Sequence, residues 1–405
     1  MAIPGMTPLA PALDDPDFYL ADPHAAFRWM RERAPVYRCE RARLWAITKH
    51  ADIVQVSRNP ETFCSARGIL IHDDLRGETP MATPPSIIHM DPPQHNRYRK
   101  LVSRAFTPGM VAALEGRIRA IARESLDAIR SGETHDFVDA VAVPLPMLVI
   151  ADMLGVAAED RQTFKRWSDA IIAAADTGTT PESTEHVGEL FAYFYGKLGG
   201  RRDRPQKQPQ SDLLSALAMA EMDGDRLADE ELLMFCMTLL VAGNETTRNL
   251  ISGGAKALME FPDERRALVE DPDRLPGAVE EMLRWVTPIR SFARTATRDT
   301  EIRGQRITAG DYVLLLYASG NRDEEVFGPT ADVFDVGRPT DAMHAAFGFG
   351  EHFCLGASLA RLEARVLFEE LLDRFPDFSL AGEIVPLRST LMNGLVRMPV
   401  TFRGR

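Results

Sequence analysis

The sequence predicts a mainly α-helical fold with a small β-rich region, arranged as a single domain over residues 1–405. Apolar residues recur at helical spacing through most of residues 96–285, which is typical of amphipathic and buried helices. Short segments rich in β-branched residues occur before and after that stretch. No internal repeat divides the chain, and its most linker-like stretch, residues 201–210, is short enough to be a surface loop.

The N-terminal part, residues 1–95, predicts loops and short strands. Leu44–Thr48 combines aromatic and β-branched residues and is predicted as a strand next to a helix start. Residues 64–94 are rich in Gly, Pro, Asp and His and show no helical period, so we expect a long ordered loop there. Loops of that length are usually functional.

Residues 96–285 predict the helical body of the fold. Apolar positions recur from Val111 to Ile129 with the spacing of one helix face. The nearly apolar run Leu232–Gly243 is shorter than the ~20 residues that span a bilayer, so we predict a buried helix. A further helix reaches Trp285. The strands predicted within residues 276–405 lie near Ile307, Tyr312–Leu316 and Leu395–Phe402.

Composition excludes several classes of function. The chain carries 47 Lys and Arg against 59 Asp and Glu, and this formal net charge of -12 disfavours nucleic acids and anionic membranes as partners. Its 4 cysteines lack paired spacing, as expected for thiols in a reducing cytosol. The N-terminus has no basic stretch followed by an apolar one, so no signal peptide is predicted. We expect a monomeric, cytoplasmic protein without a membrane anchor.

The most informative segment is the loop around Cys354, which runs from Phe347 to Gly356. Gly350 and Gly356 let the backbone adopt positive φ or pass close to a flat ligand. Cys354 lies just before a predicted helix, whose positive dipole end favours a thiolate over a thiol. Such a thiolate is a metal ligand or a nucleophile. The plainer alternative is a buried cysteine beside a glycine-rich turn.

One cysteine cannot form a structural zinc site, which needs four Cys or His ligands, and no second Cys pair completes one. A catalytic Cys/His pair is disfavoured because His352 is only two residues away. Haem iron is a centre that accepts one axial thiolate. The loop resembles the haem-binding signature of the cytochrome P450 family, F-x-x-G-x-H/R-x-C-x-G, at the positions Phe347, Gly350, His352, Cys354 and Gly356.

The resemblance covers essentially the whole chain and is to the soluble bacterial branch of the family. It implies the P450 fold and a haem b cofactor (iron protoporphyrin IX) with Cys354 as the axial ligand. It also implies that the haem is contacted by Phe347, Gly348, Ala242 and Gly356.

An acid and an alcohol interrupt the apolar run of the long predicted helix at Glu245 and Thr246. Polar side chains in a buried helix need partners, and a threonine there can bond back to a carbonyl one turn earlier. Gly243 makes a local opening easier. The segment resembles the family's acid–alcohol pair, in which Thr246 would act on dioxygen and Glu245 would relay protons. The alternative is a Glu/Thr pair that satisfies itself within the helix.

Glu281 and Arg284 are three residues apart, where opposite charges on one helix face can pair. Taken alone, they indicate a solvated salt bridge of little energetic weight. They resemble the family's E-x-x-R, a structural network behind the haem. Val333 stands where many members carry arginine, so Arg338 is the candidate for the third member of the network.

His95 and Arg99 are separated by one helical turn and resemble the family's H-x-x-x-R. The resemblance implies that they bind one haem propionate, with Arg294 and His352 as candidates on the other side. Two neighbouring arginines, Arg290 and Arg298, leave that choice open. A capped surface histidine is the alternative for His95.

A basic cluster stands out in this acidic chain. It is either a solvated face or a docking surface for an acidic electron-transfer protein, for which electrostatic steering raises the association rate. Its members are Arg97, Arg99, Lys100, Arg104, Arg361 and Arg365.

The resemblance implies a haem-thiolate monooxygenase that inserts one atom of O₂ into a C–H bond of an apolar small molecule. It implies electrons from NAD(P)H through a ferredoxin reductase and a ferredoxin. An H₂O₂-driven peroxygenase and a non-catalytic haem-thiolate sensor are the alternatives. The amino-acid sequence resembles those of family members that act on sterols, terpenoids and branched lipids. The predicted substrate-pocket residues are Ile71, Ile88, Val241, Ala242, Ile289, Phe292 and Leu395.

Overall fold

The computed structural model describes residues 11–73, 86–177, 180–202, 213–218, 221–222 and 224–404. Its α-helices, in chain order, are α1 His24–Arg33, α2 His50–Ser57, α3 Gln94–Val102, α4 Pro108–Ala113, α5 Glu115–Asp127, α6 Pro144–Met153, α7 Arg161–Thr177, α8 Pro181–Arg202, α9 Leu213–Ala218, α10 Asp229–Glu260, α11 Pro262–Glu270, α12 Leu275–Val286, α13 Tyr317–Gly320, α14 Glu324–Phe327 and α15 Ala357–Arg374.

The strands are short and mostly follow the helical body. They are β1 Val36–Cys39, β2 Leu44–Ile47, β3 Phe63–Cys64, β4 Thr134–Asp136, β5 Glu221–Met222, β6 Asp225–Arg226, β7 Ser291–Ala296, β8 Thr300–Ile302, β9 Gln305–Ile307, β10 Tyr312–Leu316, β11 Asp377–Leu380, β12 Val385–Pro386, β13 Leu395–Arg397 and β14 Pro399–Arg403.

The chain forms two compact units, and each unit is assembled from separate segments. The first contains the described parts of residues 1–80, 277–354 and 385–396. The second contains the described parts of residues 81–276, 355–384 and 397–405. Because the segments interleave along the sequence, neither unit corresponds to one continuous stretch of chain.

The first unit is organised by a five-stranded sheet in the order β1-β2-β10-β7-β3. Strand β10 pairs parallel to β2 and antiparallel to β7, with Leu314 opposite both Ala46 and Ala293. Side chains alternate between the two faces of a strand. Accordingly, Leu314 belongs to one apolar cluster and Leu315 to another. Strand β10 is therefore buried on both faces, which explains its unbroken apolar sequence.

The second unit is organised around the 32-residue helix α10, which packs against α6, α7, α8, α9, α11 and α15. Acidic residues fill its first turn, where they complement the helix dipole. The Glu231 carboxylate accepts a 2.8 Å hydrogen bond from the Ala228 amide, which fixes the start of the helix. A three-stranded sheet, β11-β14-β4, belongs to the same unit.

Most predicted elements coincide with observed ones. The predicted strand at Leu44–Thr48 is β2, and the predicted buried helix is the middle of α10. The predicted surface loop at residues 201–210 begins later than expected, because Arg201 and Arg202 belong to α8; residues 203–210 lie outside the described part. Residues 74–85 of the predicted long loop also lie outside it. Among the described residues, no helix has both the length and the hydropathy of a bilayer-spanning segment.

Candidate active site

The loop that carries Cys354 has a defined backbone in the first unit. It starts with a 3₁₀ turn at Ala345–Phe347, reverses at Gly348 with φ 66°, and makes a second turn at Gly350–His352. The Cys354 amide donates a 2.9 Å hydrogen bond to the Phe347 carbonyl, which closes the loop. The loop exposes the Cys354 thiol. The alternative of a buried cysteine is therefore wrong.

Gly350 and Gly356 of this loop differ in whether the fold requires a glycine at their positions. Gly350 has φ 68°, and a Cβ there would overlap the carbonyl of Ser57, so the fold itself requires glycine. Gly356 has an ordinary φ of -85°, and a Cβ there would contact nothing within 4 Å. The polypeptide therefore does not require glycine at position 356. A flat ligand that passes close to the backbone would account for it.

Arg294 is a buried cation with little internal compensation. It lies on β7 with 5% of its surface exposed, and its guanidinium donates a 2.7 Å hydrogen bond to the Ala293 carbonyl. No carboxylate lies within ion-pair distance of Arg294 in the part of the chain that the structure describes. A buried charge is costly unless it is paired, so an anionic group of a ligand suits this position. Burial raises the pKa of the neighbouring Tyr317, and the positive charge of Arg294 opposes that rise.

The neighbouring arginines are engaged elsewhere. The Arg290 guanidinium donates to the carbonyls of Ser389, at 2.8 Å, and of Met392. Arg298 donates to the hydroxyl of Thr62 at 2.8 Å. These contacts favour Arg294 among the three candidates for an anionic ligand.

His352 keeps its ring next to polar groups of the same unit. Its Nε2 lies 3.1 Å from the Ser65 hydroxyl and 3.6 Å from the Glu351 carboxylate. These contacts place the His352 ring beside polar groups of the cysteine loop's own unit, and its assignment to a propionate stays a prediction.

Glu281 and Arg284 form a buried pair at the end of α12, each with 2% of its side chain exposed. Two guanidinium nitrogens of Arg284 lie 2.7 Å from the two Glu281 oxygens, which is a bidentate geometry. Arg338 adds a third member, because its Nε donates to Glu281 at 3.1 Å. Arg338 thus completes the network, and the solvated salt bridge is excluded by burial.

This network fixes the backbone that leads to the cysteine loop. Arg284 donates to the carbonyls of Asn321 and Ala331, both at 2.7 Å. The Asn321 amide donates to Thr287 at 2.8 Å and accepts a 2.6 Å bond from the Ala345 amide, where the loop begins. Sequence reasoning missed Asn321, because an isolated asparagine before Arg and Asp gives no distinctive signal.

In the second unit, α10 presents the acid and the alcohol. Glu245 is 1% exposed and forms an ion pair with Arg248 three residues later. The Thr246 hydroxyl donates a 2.6 Å bond to the Ala242 carbonyl one turn earlier, as predicted for this position. The sequence showed Arg248 but gave no reason to single it out, since an i, i+3 pair is usually a surface feature.

Helix α3 carries the predicted propionate ligands His95, which is 1% exposed, and Arg99, which is half-buried. Arg97 on the same helix is bound internally, with its guanidinium 2.8 Å from both Asp225 and Glu231. These carboxylates compensate the charge of Arg97, which weakens the case for it as part of a docking surface.

Arg365, also part of the predicted docking surface, is paired with carboxylates as well. It lies on α15 and pairs with Glu115 at 2.9 Å and with Glu369 at 2.7 Å. Lys100 is exposed, and the side chain of Arg104 lies outside the described part. The predicted six-residue patch is therefore smaller than the sequence indicated.

The predicted substrate-pocket residues have diverse surroundings. Ile71 is buried in an apolar cluster with Tyr19 and Tyr312, and Leu395 is 8% exposed. Ile88 is 36% exposed. The others range from partly buried to exposed: Val241, Ala242, Ile289 and Phe292.

The fold, the exposed cysteine on its glycine-rich loop and the uncompensated Arg294 together define a haem-thiolate protein, and these residues fit the haem that the sequence implies. The chain belongs to the cytochrome P450 family, whose profile matches residues 79–402. The predicted P450 fold, the haem cofactor with a cysteine thiolate ligand and the monooxygenase class are thereby confirmed.

Several relatives match over nearly their full length. The steroid C26-monooxygenase of Mycobacterium tuberculosis is 40% identical over 97% of this chain and 98% of its own. The methyl-branched lipid omega-hydroxylase of Mycobacterium bovis is 37% identical, with 95% and 93% covered. A crystal structure of a Bacillus megaterium P450 with testosterone is 36% identical, with 94% and 99% covered, and superimposes with a TM-score of 0.84.

Proposed function

We propose that this monooxygenase hydroxylates an elongated, apolar, steroid-like or branched-lipid substrate. The exposed cysteine on the glycine-rich loop supports the oxygen chemistry, and the relatives named for steroids and methyl-branched lipids carry the substrate class. A terpenoid is the third substrate class that the sequence suggests.

The chain's own residues hold the cofactor. Cys354 would bind the iron as a thiolate, and Arg294 and His352 would bind one propionate. His95 and Arg99 would bind the other, and Phe347, Gly348, Ala242 and Gly356 would contact the macrocycle. When bound, a haem with a thiolate ligand supplies a centre that activates dioxygen and favours cleavage of its O–O bond.

Glu245 and Thr246 handle protons during this activation. The Thr246 hydrogen is donated to the Ala242 carbonyl at 2.6 Å, so the hydroxyl oxygen is left to accept a hydrogen bond from a second group. Glu245 is held by Arg248 in a buried environment and exchanges protons with that second group. Glu245 would thus hold or release a proton beside Thr246 on α10.

Apolar side chains support an apolar substrate. Val241 and Phe292 are only partly buried, and Ala242 is exposed, although α10 is otherwise a well-packed helix. Ligand pockets are lined mainly by such residues with few polar groups. The relatives named for steroids and methyl-branched lipids favour the same substrate class. Ile71, Ile88, Ile289 and Leu395 complete the proposed lining.

Electrons reach the haem from NAD(P)H through a ferredoxin reductase and a ferredoxin. We propose that the enzyme acts as a monomer in the cytoplasm. The exposed Lys100 favours an acidic partner. Reduction should then slow steeply with added salt, and a rate independent of salt would contradict electrostatic docking.

Ligand titration tests the proposed function most directly. We expect sterols or branched lipids to shift the haem spin state and to yield a hydroxylated product with ferredoxin, reductase and NAD(P)H. Turnover with H₂O₂ but not with ferredoxin would favour the peroxygenase. Binding without any product in either system would favour the sensor.

A further inference from the structure

A second polar contact at α10 joins a hydroxyl group of this helix to one from another segment, separate from the acid–alcohol pair. The Ser86 Oγ lies 2.7 Å from the Thr238 Oγ1, although 152 residues separate them in the sequence. Ser86 is 9% exposed, and the residue after it, Ile87, is also buried. The contact therefore joins the buried Ser86 to α10 through two hydroxyl groups.

The hydrogen-bond direction within this pair is fixed by counting protons. The Thr238 hydroxyl donates its only hydrogen to the Met234 carbonyl at 2.7 Å. Ser86 must then donate to Thr238. The only hydrogen of the Ser86 hydroxyl is used in that bond, but the Ser86 oxygen can still accept a hydrogen bond. A further partner of Ser86 must therefore be a donor.

The pair is aligned with the reactive part of α10. Thr238, Ala242 and Thr246 are spaced four residues apart and so lie on one side of the helix. With a rise of 1.5 Å per residue, Thr238 and Thr246 are about 12 Å apart along the axis. Between them Ala242 is exposed, while Leu240 and Asn244 are buried. On this side of α10 the exposed Ala242 therefore lies between two hydroxyl groups.

We propose that Ser86 and Thr238 bind the hydroxyl group at the polar end of an elongated apolar substrate, whose other end is oxidised near Thr246. This inference rests on the proposed function and adds the orientation of the substrate to it. An extended covalent chain advances about 1.2 Å per bond, so the bound hydroxyl and the oxidised carbon are at least about ten bonds apart. A sterol with a ring hydroxyl and a branched tail has that separation.

The direction of the hydrogen bond from Ser86 to Thr238 also predicts a preference for an alcohol over a ketone in the substrate. A substrate alcohol donates to the Ser86 oxygen, whereas a ketone at the same place offers only an acceptor and meets no free hydrogen. The enzyme should therefore prefer a 3-hydroxysteroid to the 3-oxo and 3-deoxy compounds with the same tail. One neutral hydrogen bond corresponds to roughly a 3- to 10-fold difference in affinity.

Calorimetric titration of the holoenzyme with these three steroids tests the inference without any mutation. We expect the 3-hydroxysteroid to bind roughly 3- to 10-fold more tightly than the other two. Its tail, and not its ring system, should carry the new oxygen in the product. Equal affinities for the three compounds, or oxidation next to the 3-hydroxyl, would overturn the inference.

Two variants separate a binding role from a merely structural link. Ser86→Ala should remove the preference for the alcohol. Thr238→Val should move the preference toward the ketone, because the Ser86 hydrogen then lacks its acceptor. The control is Ser125→Ala, which removes a serine of the same 9% exposure on α5 and should keep the wild-type order. If all variants keep that order, the pair only links the chain to α10.

The outcomes distinguish this inference from the proposed function. If steroids and branched lipids are hydroxylated at the tail but bind without regard to the 3-substituent, only the inference fails. If none of these compounds binds or is oxidised, the proposed substrate class fails, and the inference with it.

Discussion

Replacing Glu281 by alanine tests whether the buried network is as important as its geometry indicates. The change removes the acceptor of two 2.7 Å bonds from Arg284 and of one 3.1 Å bond from Arg338. It also removes a 3.0 Å bond from the Asp335 amide. Arg284 has 2% and Arg338 9% of its side chain exposed, so neither cation regains water.

A buried ion pair that loses one partner destabilises a protein by about 3–5 kcal/mol, because a charge is left without compensation. We expect Glu281→Ala to lose that amount, and to bind haem poorly because Arg284 also holds the segment leading to the cysteine loop. Glu281→Gln keeps the shape and one acceptor oxygen, so its loss should be smaller. Arg338→Ala should fall in between, since Arg284 still pairs with Glu281.

The assay is urea unfolding followed by far-ultraviolet circular dichroism, together with the haem content of the purified protein. The matched control is Arg266→Ala, which breaks an i, i+3 pair with Asp263 whose side chains are 67% and 81% exposed. Exposed pairs contribute little, so its unfolding midpoint should stay unchanged. An unchanged midpoint and full haem content for Glu281→Ala would refute the reasoning.

Three further predictions concern single residues. Cys354→Ala should abolish turnover and the thiolate spectrum of the carbonyl adduct, and retained activity would refute its role as ligand. Thr246→Val should raise NAD(P)H consumption without product while Thr246→Ser largely restores coupling, and equal coupling in both would argue against a proton role. Burial raises the pKa of Glu363 to about 8, so unfolding free energy should fall as pH rises from about 4.5 to 8. Glu363→Gln should flatten that fall, which pH-dependent urea midpoints would measure.

The sequence predicted what depends on local patterns. The loop around Cys354 could be recognised because glycines and aromatic residues surround one cysteine at fixed spacing. The back-bonded Thr246 followed from the chemistry of a threonine in a buried helix. These features need only neighbours within about one helical turn.

Contacts between distant residues could not be read in the same way. Arg97 and Arg365 looked like free surface charge because their acidic partners, Asp225 and Glu115, lie 128 and 250 residues away. Arg338 could be named only as a candidate, since its distance of 57 residues from Glu281 is set by the fold and not by a helical repeat. Which arginine meets which carboxylate depends on tertiary packing, which a single sequence does not encode in any periodic form.

The parallel pairing of β2 with β10 dictates when the protein can complete its folding during synthesis. Ala46 lies opposite Leu314, which the ribosome adds 268 residues later. Until then the β1–β2 hairpin has an unsatisfied edge, which invites pairing with other nascent chains. Slower expression at low temperature, or an abundance of chaperones, should therefore improve the yield of folded enzyme.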